Sequence, residues 1–137
     1  MEDAVINNFR GVYMSGSAAF KSEYLSDKQI IVVSILQSKM EKDLAKVIYD
    51  EVDKAIKENS DYKDFVLDTC RVTDVTIASF GYLMKAFTLV NKTAGYMVIV
   101  MKEEILQNFM LSNPEMFDFL AVFFNVDEAV KFIESKR

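Results

Sequence analysis

The stretch Phe65-Val66-Leu67-Asp68-Thr69-Cys70-Arg71-Val72-Thr73-Asp74-Val75-Thr76-Ile77 decides how the rest of the chain is read. Phe65 to Leu67 is short and continuously apolar, the pattern of a strand whose two faces are both covered, as in a parallel sheet. A polar loop, Asp68 to Thr76, separates it from a helix that starts near Ile77. There Phe80, Leu83, Met84, Phe87 and Val90 form an apolar stripe at helical spacing, and Gly95 is placed to stop it. Ligands and partners of such sheets meet the loops at the carboxyl ends of the strands, so this loop is the first candidate site. Amides at the helix start favour an anion or a phosphorylated side chain, and Asp74 and Thr76 are suited to cap it.

Outward from this centre, strands and helices alternate. Ala19 to Tyr24 and Gln29 to Leu36 flank the polar turn Ser26-Asp27-Lys28, and the second run is rich in β-branched residues, which predicts a hairpin. Leu44, Val47, Ile48, Val52, Ala55 and Ile56 predict an amphipathic helix over residues 42–58. Downstream, Tyr96 to Met101 reads as a buried strand. Ile105, Leu106, Phe109 and Met110 mark a third helix that Ser112-Asn113-Pro114 closes, and Leu120 to Phe124 is a last strand. Asn125 three residues before Glu128 opens a terminal helix as a capping box does.

The expected fold is therefore α/β: a mixed, mostly parallel sheet of four to five strands with about four helices. Its order along the chain is β-β-α-β-α-β-α-β-α, with the first strand antiparallel at or near an edge. Residues 1–17 read as an N-terminal extension to a domain over 18–137. Val5, Phe9 and Tyr13 recur every four residues there while Gly11 and Gly16 interrupt any long helix, and the segment is expected to pack on the domain or on a second copy.

Composition narrows the function. A chain of 137 residues, 51% hydrophobic and 27% charged, makes one globular domain. Sixteen basic residues against 21 acidic ones give a net charge of −5, which disfavours nucleic acid as a partner. With no histidine, Ser-His-Asp and Cys-His catalysis and His-ligated metals are excluded. Cys70 is the single cysteine, so there is no internal disulfide and no CxxC site. Neither a P-loop nor a dinucleotide fingerprint is present, so no cofactor or metal is expected. The longest apolar runs, Tyr96 to Met101 and Phe119 to Phe124, are far short of the ~20 residues that span a bilayer. No basic start precedes an apolar stretch, so no secretory signal is read and the expected compartment is the cytoplasm.

Other features read as structural. Cys70 is expected to be a half-buried thiol despite its neighbour Arg71, and Asp50-Glu51 and Glu103-Glu104 point to different sides of their helices. Met110, Met116, Phe117, Phe119 and Phe124 crowd the last third of the chain, mostly as core, with some left for an adaptable contact surface.

The stretch from Asp64 to Leu83 resembles the core of the STAS domain, found in bacterial anti-sigma factor antagonists and in sulfate transporters. Leu67-Asp68 is similar to that family's strand end, and Phe80-Gly81-Tyr82-Leu83 to its Leu-Gly-x-Leu. Tyr96 through Phe109 and Leu120 through Val130 resemble its later strands and helices, so the likeness covers residues 18–137. The departure is Thr76-Ile77-Ala78-Ser79 where the family has Asp-Ser-Ser-Gly, which puts Ile77 at the position of the phosphorylated serine. The resemblance implies a non-enzymatic binding module. Its partner would be an anti-sigma factor or serine kinase of the histidine-kinase-like ATPase type, docked through Thr73, Asp74, Thr76, Ser79, Phe80 and Tyr82. Thr76 and Ser79 are the hydroxyls left to accept phosphate, with Thr73 a more distant candidate, and a phosphate there would add roughly two negative charges. The alternative is a STAS scaffold subunit of a larger signalling assembly, without a phosphorylation switch, and a weak homodimer fits either. A small enzyme or a lipid or nucleotide binder using the same loop is the third reading.

Overall fold

The structure is a computed structural model that describes residues 10–14, 17–93, 96–112, 114 and 120–137. Among these residues eight strands are described: β1 (Arg10–Met14), β2 (Ser17–Leu25), β3 (Ile30–Ile35), β4 (Lys39–Met40), β5 (Asp64–Asp68), β6 (Asp74–Val75), β7 (Tyr96–Val100) and β8 (Leu120–Phe123). Four α-helices are described: α1 (Lys42–Glu58), α2 (Phe80–Thr93), α3 (Glu103–Ser112) and α4 (Val126–Ser135). A single 3-10 turn, Ile77–Ser79, leads into α2.

Six strands form the main sheet, in the order β1-β2-β3-β5-β7-β8. β1 and β3 flank β2 antiparallel, and the strands from β3 to β8 run parallel. This is the mixed, mostly parallel sheet expected, with its strands and helices in the expected order. One strand is added at the edge: Arg10–Met14 pairs with β2 through a register shift between Val12 and Tyr13. Val5, Phe9, Gly95, Met116, Phe117 and Phe119, which the sequence singled out, lie outside the residues whose side chains are described.

The middles of the central strands are apolar because both faces are buried. Ile31, Val33, Phe65, Leu67, Met97 and Ile99 face one way, into a cluster completed by Leu44, Ile48 and Val52 of α1 and Leu83, Phe87 and Val90 of α2. Ile30, Val32, Val66, Val98 and Val100 alternate with them and face Ala129, Val130 and Ile133 of α4. Each such side chain contributes about 1.5–3 kcal/mol relative to exposure, so register is fixed on both sides at once. α4 begins as the sequence predicts, with the Asn125 Oδ1 accepting the Glu128 amide at 2.9 Å.

The end of the sheet away from the loop is closed by local bonds. The β2–β3 turn is set by the Lys28 amide donating to the Leu25 carbonyl at 3.0 Å and by Gln29 in the left-handed region at φ 57°. The Gln29 carbonyl accepts the Lys63 amide at 2.8 Å, while its side chain donates to the Asp61 carbonyl at 3.0 Å. Arg137 donates to the Asp64 carboxylate at 2.5 Å and to the Lys28 carbonyl. The hydroxyl of Tyr24 is buried here without a hydrogen-bond partner among the described residues. Burial first, and then the neighbouring Asp61, push it up to about 12 from its ordinary 10.

Candidate functional site

At the other end of the sheet, the carboxyl ends of β5 and β7 open onto the loop from Asp68 to Thr76. Leaving β5, the chain turns sharply. Asp68 accepts the Cys70 amide at 3.0 Å through its side chain, and the Val72 amide donates to the Thr69 carbonyl at 3.0 Å. These are the local bonds that let an Asp-initiated turn compete with a continuing strand. Thr69 is buried, and both its amide and its hydroxyl donate to the Val100 carbonyl at 2.7 Å, which pins the loop's root to β7.

The far half of the loop is held by a second, small sheet. β4 and β6 pair in parallel, Lys39 with Asp74 and Met40 with Val75. The Ser38 carbonyl accepts the Thr73 amide at 2.8 Å and the Asp74 amide at 3.2 Å, and the Thr73 hydroxyl adds a bond at 3.2 Å. The Met40 carbonyl accepts the Thr76 amide at 3.0 Å and its hydroxyl at 3.3 Å. Val72 is buried under this pair, while Val75 is partly buried and packs on the core with Met40. The residues that lead into α1 and those that lead into α2 are thus joined as one rigid platform.

Each predicted site residue has a definite place on it. Thr73 and Asp74 are exposed, and Thr76 is half-buried. Thr76 occupies the N-cap position in extended backbone but makes no side-chain cap, because its hydroxyl is directed to Met40 instead. Asp74 lies in β6 opposite Lys39 rather than at the helix start. Ser79 is wholly buried, and its hydroxyl donates to the Thr76 carbonyl at 2.7 Å. Phe80 is half-buried and packs against the main core, as does Tyr82. The Tyr82 ring lies 6.4 Å from that of Tyr49, with the Lys85 ammonium 5.3 Å over its face.

One residue of the platform stands apart. Ile77 is 86% exposed, at the tip of the 3-10 turn and beside the exposed Ala78. A Cβ placed on Gly81, one turn further on, would meet nothing within 4 Å, so the surface beyond Ile77 is open. No residue pattern signals this exposure directly, since an isoleucine at a helix start is ordinarily counted with the apolar stripe. Its signal was only that Phe80, Leu83, Phe87 and Val90 complete the stripe without it. The Ser38 and Met40 carbonyls left no sequence signal at all, because any residue supplies a carbonyl.

Anion binding at the helix start finds limited provision, because the Thr76 and Ser79 amides are already donated to the Met40 and Thr76 carbonyls. Burial first, and then Asp68, push the Cys70 thiol up, against the opposing pull of Arg71, so it is held protonated. Asp50 is exposed, but Glu51, expected from the sequence to be solvated charge, is buried, because helix neighbours point to different sides and its side faces inward. Among the described residues, no group of acidic or sulfur side chains is arranged to hold a metal ion. Nor is any described helix long and apolar enough to cross a membrane. Beneath the platform lies a cavity of about 20 Å³, lined by Met40, Leu67, Val75, Phe87, Ile99 and Ile105, room for at most one water.

A two-faced, mostly parallel sheet with an antiparallel hairpin at one edge, and a polar loop feeding its second helix, is the STAS-type fold of the anti-sigma factor antagonists. Three solved structures carry the comparison. An anti-sigma factor antagonist from Mycobacterium paratuberculosis matches 90% of this chain and 99% of its own at a TM-score of 0.69 and 13% identity. The anti-sigma factor antagonist SpoIIAA in its unphosphorylated form matches 85% and 98% at 0.63 and 12%. The Bacillus cell-fate determinant SpoIIAA in the phosphorylated form matches 84% and 99% at 0.61 and 13%. In sequence, no family model and no curated protein matches the chain.

Proposed function

We propose that this protein is a non-enzymatic regulatory binding module of the anti-sigma factor antagonist kind, which docks a partner protein on the platform from Thr73 to Tyr82. The observation that carries the reading is Ile77: an apolar side chain 86% exposed on a loop tied down by backbone bonds on both sides. Exposing isoleucine in this way costs burial energy of about 2 kcal/mol, and recovering it in a complex is what a docking anchor does. A platform that is already ordered loses little entropy when it binds. The exposed Thr73 and Asp74 lie three and four residues before the anchor and supply polar groups of the kind found at an interface rim.

The partner is an anti-sigma factor or a serine kinase of the histidine-kinase-like ATPase type, met in the cytoplasm, with no nucleic acid, membrane or cofactor taking part. Docking does not wait on phosphorylation. The Ser79 hydroxyl is buried and donated to a carbonyl, and the Thr76 hydroxyl is turned toward Met40, so both serve the platform's structure. Affinity isolation of the tagged protein from its host, beside the Ile77→Asp variant, tests this. Recovery of a histidine-kinase-like ATPase with the wild type and its loss with the variant are expected, with no phosphate on Thr76 or Ser79. Absence of such a partner, or equal recovery with both proteins, overturns the reading.

A scaffold role is the second reading, favoured by β1. This strand is hydrogen-bonded only to β2 among the described strands, leaving an edge on which a second copy would extend the sheet. Light scattering decides it: a monomer at micromolar concentration removes the scaffold, and a concentration-dependent dimer supports it.

A further inference from the structure

On the outer side of α2, beginning two residues past the Tyr82 end of the platform, a groove of about 330 Å³ is lined by Tyr49 of α1 and by Met84, Lys85, Thr88, Leu89 and Lys92. Its lining combines apolar side chains with two lysines and contains no carboxylate. This is unusual in a chain of net charge −5, and it begins in the sequence of the helix: α2, Phe80 to Thr93, holds Lys85 and Lys92 but not one Asp or Glu, although the chain has 21. Both lysines are exposed, and neither forms an ion pair among the described residues. Lys85 instead lies 5.3 Å over the Tyr82 ring, which holds its charge beside the groove.

On the α1 side, Lys46 and Asp50 are exposed and of opposite charge at i, i+4, so they offset one another beside Tyr49. The carboxylate one turn after it, Asp53, is bonded to Lys57 at 2.9 Å and so is already neutralised. The local balance is therefore positive around an apolar floor.

We propose that this groove is a second docking surface, and that its occupant is an amphipathic helix of a partner protein with apolar residues on one stripe and Asp or Glu flanking them. The apolar stripe covers Tyr49, Met84 and Leu89, and the flanking carboxylates meet Lys85 and Lys92. A helix is the form that suits a groove running along α2, because its side chains repeat at the same i, i+3, i+4 spacing as Lys85, Thr88, Leu89 and Lys92. Charge complementarity selects the acidic helix over a basic one and speeds encounter. This surface does not depend on the Ile77 platform being an interface.

The test uses the full chain and a fluorescent 18-residue helical peptide of Leu, Ala and Glu with the leucines on one stripe, beside the same peptide with Lys for Glu. Anisotropy at low salt is expected to give the Glu peptide about a tenfold tighter affinity, lost as salt screens the pair. Amide shifts are expected at Tyr49, Thr88 and Leu89. The double variant K85E/K92E should reverse the preference and K85Q/K92Q should level it, each with an unchanged melting temperature, while Ile77→Asp should leave it within about twofold. Equal affinity for both peptides overturns the proposal. So does a preference abolished by Ile77→Asp, or lysine-dependent binding to phosphatidylglycerol vesicles without any peptide preference, which would make the groove a membrane contact.

Discussion

The two ends of the sheet are both built from tight turns, yet they treat their side chains in opposite ways. At the hairpin end, Gln29, Asp64 and Arg137 spend their polar groups on one another and on nearby carbonyls, and what remains inward is closed over Tyr24. At the loop end, the same fixing is done chiefly by backbone amides and hydroxyls donating to the Ser38, Met40, Thr76 and Val100 carbonyls. That leaves Thr73, Asp74 and Ile77 facing outward. The first end is finished within the chain; the second is rigid and yet unfinished, which is the condition of a surface prepared for another molecule.

The contrast is broken most forcefully at Ser79. If its hydroxyl belongs to the interior, Ser79→Glu buries a carboxylate without a counter-charge and costs at least about 3 kcal/mol, a fall in melting temperature of roughly 10 °C. Thr76→Glu, at a half-buried position, should lower it by less than a third of that. Equal, small effects would mean that Ser79 reaches solvent and that the loop end is looser than described.

Next in size is Ile77→Asp. Partner affinity is expected to fall about a hundredfold, equivalent to about 2.7 kcal/mol, with the melting temperature unchanged, because nothing in the fold rests on that side chain. Calorimetric titration with the isolated partner reads the first quantity and thermal denaturation the second.

At the hairpin end, Arg137→Ala removes a partly buried pair with Asp64 and a bond to the Lys28 carbonyl, and is expected to cost about 1 kcal/mol in urea unfolding. The loss should shrink as salt is raised. Unlike Ile77→Asp, it should leave partner affinity alone.

The smallest effect is a pH dependence. Tyr24 ionises near 10 in the unfolded chain and at about 12 in the fold, so the native state holds this proton the more tightly. Its contribution is complete below pH 10 and disappears as pH rises through about 12. Tyr24→Phe should remove that part of the alkaline fall and cost nothing near neutrality, since the hydroxyl it deletes has no partner. Paired unfolding curves at pH 9.5 and 11.5 isolate the difference.

Most of the scaffold was legible because burial writes periodicity into a sequence. The 42–58 helix has the predicted bounds, and the Asn125 cap, the hairpin and the four parallel strands all follow from apolar spacing and turn chemistry. β1 was not legible: Val5, Phe9 and Tyr13 gave a four-residue period, and two glycines obscured a strand only five residues long. The β4–β6 pair was invisible for a simpler reason, since two-residue strands have no period. In the candidate site, the polar loop and the helix that follows it were legible, but not which of their side chains are buried and which exposed. Ser79 and Ile77 are two residues apart, and their buried and exposed roles were set by the 3-10 turn, whose three-residue period differs from the helix that follows.

The parallel pair between Lys39–Met40 and Asp74–Val75 has a consequence for how such a protein changes over generations. Carbonyl oxygens at Ser38 and Met40 grip the loop, and mutation of those residues leaves a carbonyl in place. Side chains at 74 and 77 are therefore free to drift without unravelling the loop that presents them, and a change at 73 gives up one hydroxyl bond but keeps the amide bond beside it. If the platform docks a partner as proposed, a descendant lineage can exchange one partner for another by ordinary point substitution, while inheriting the platform intact.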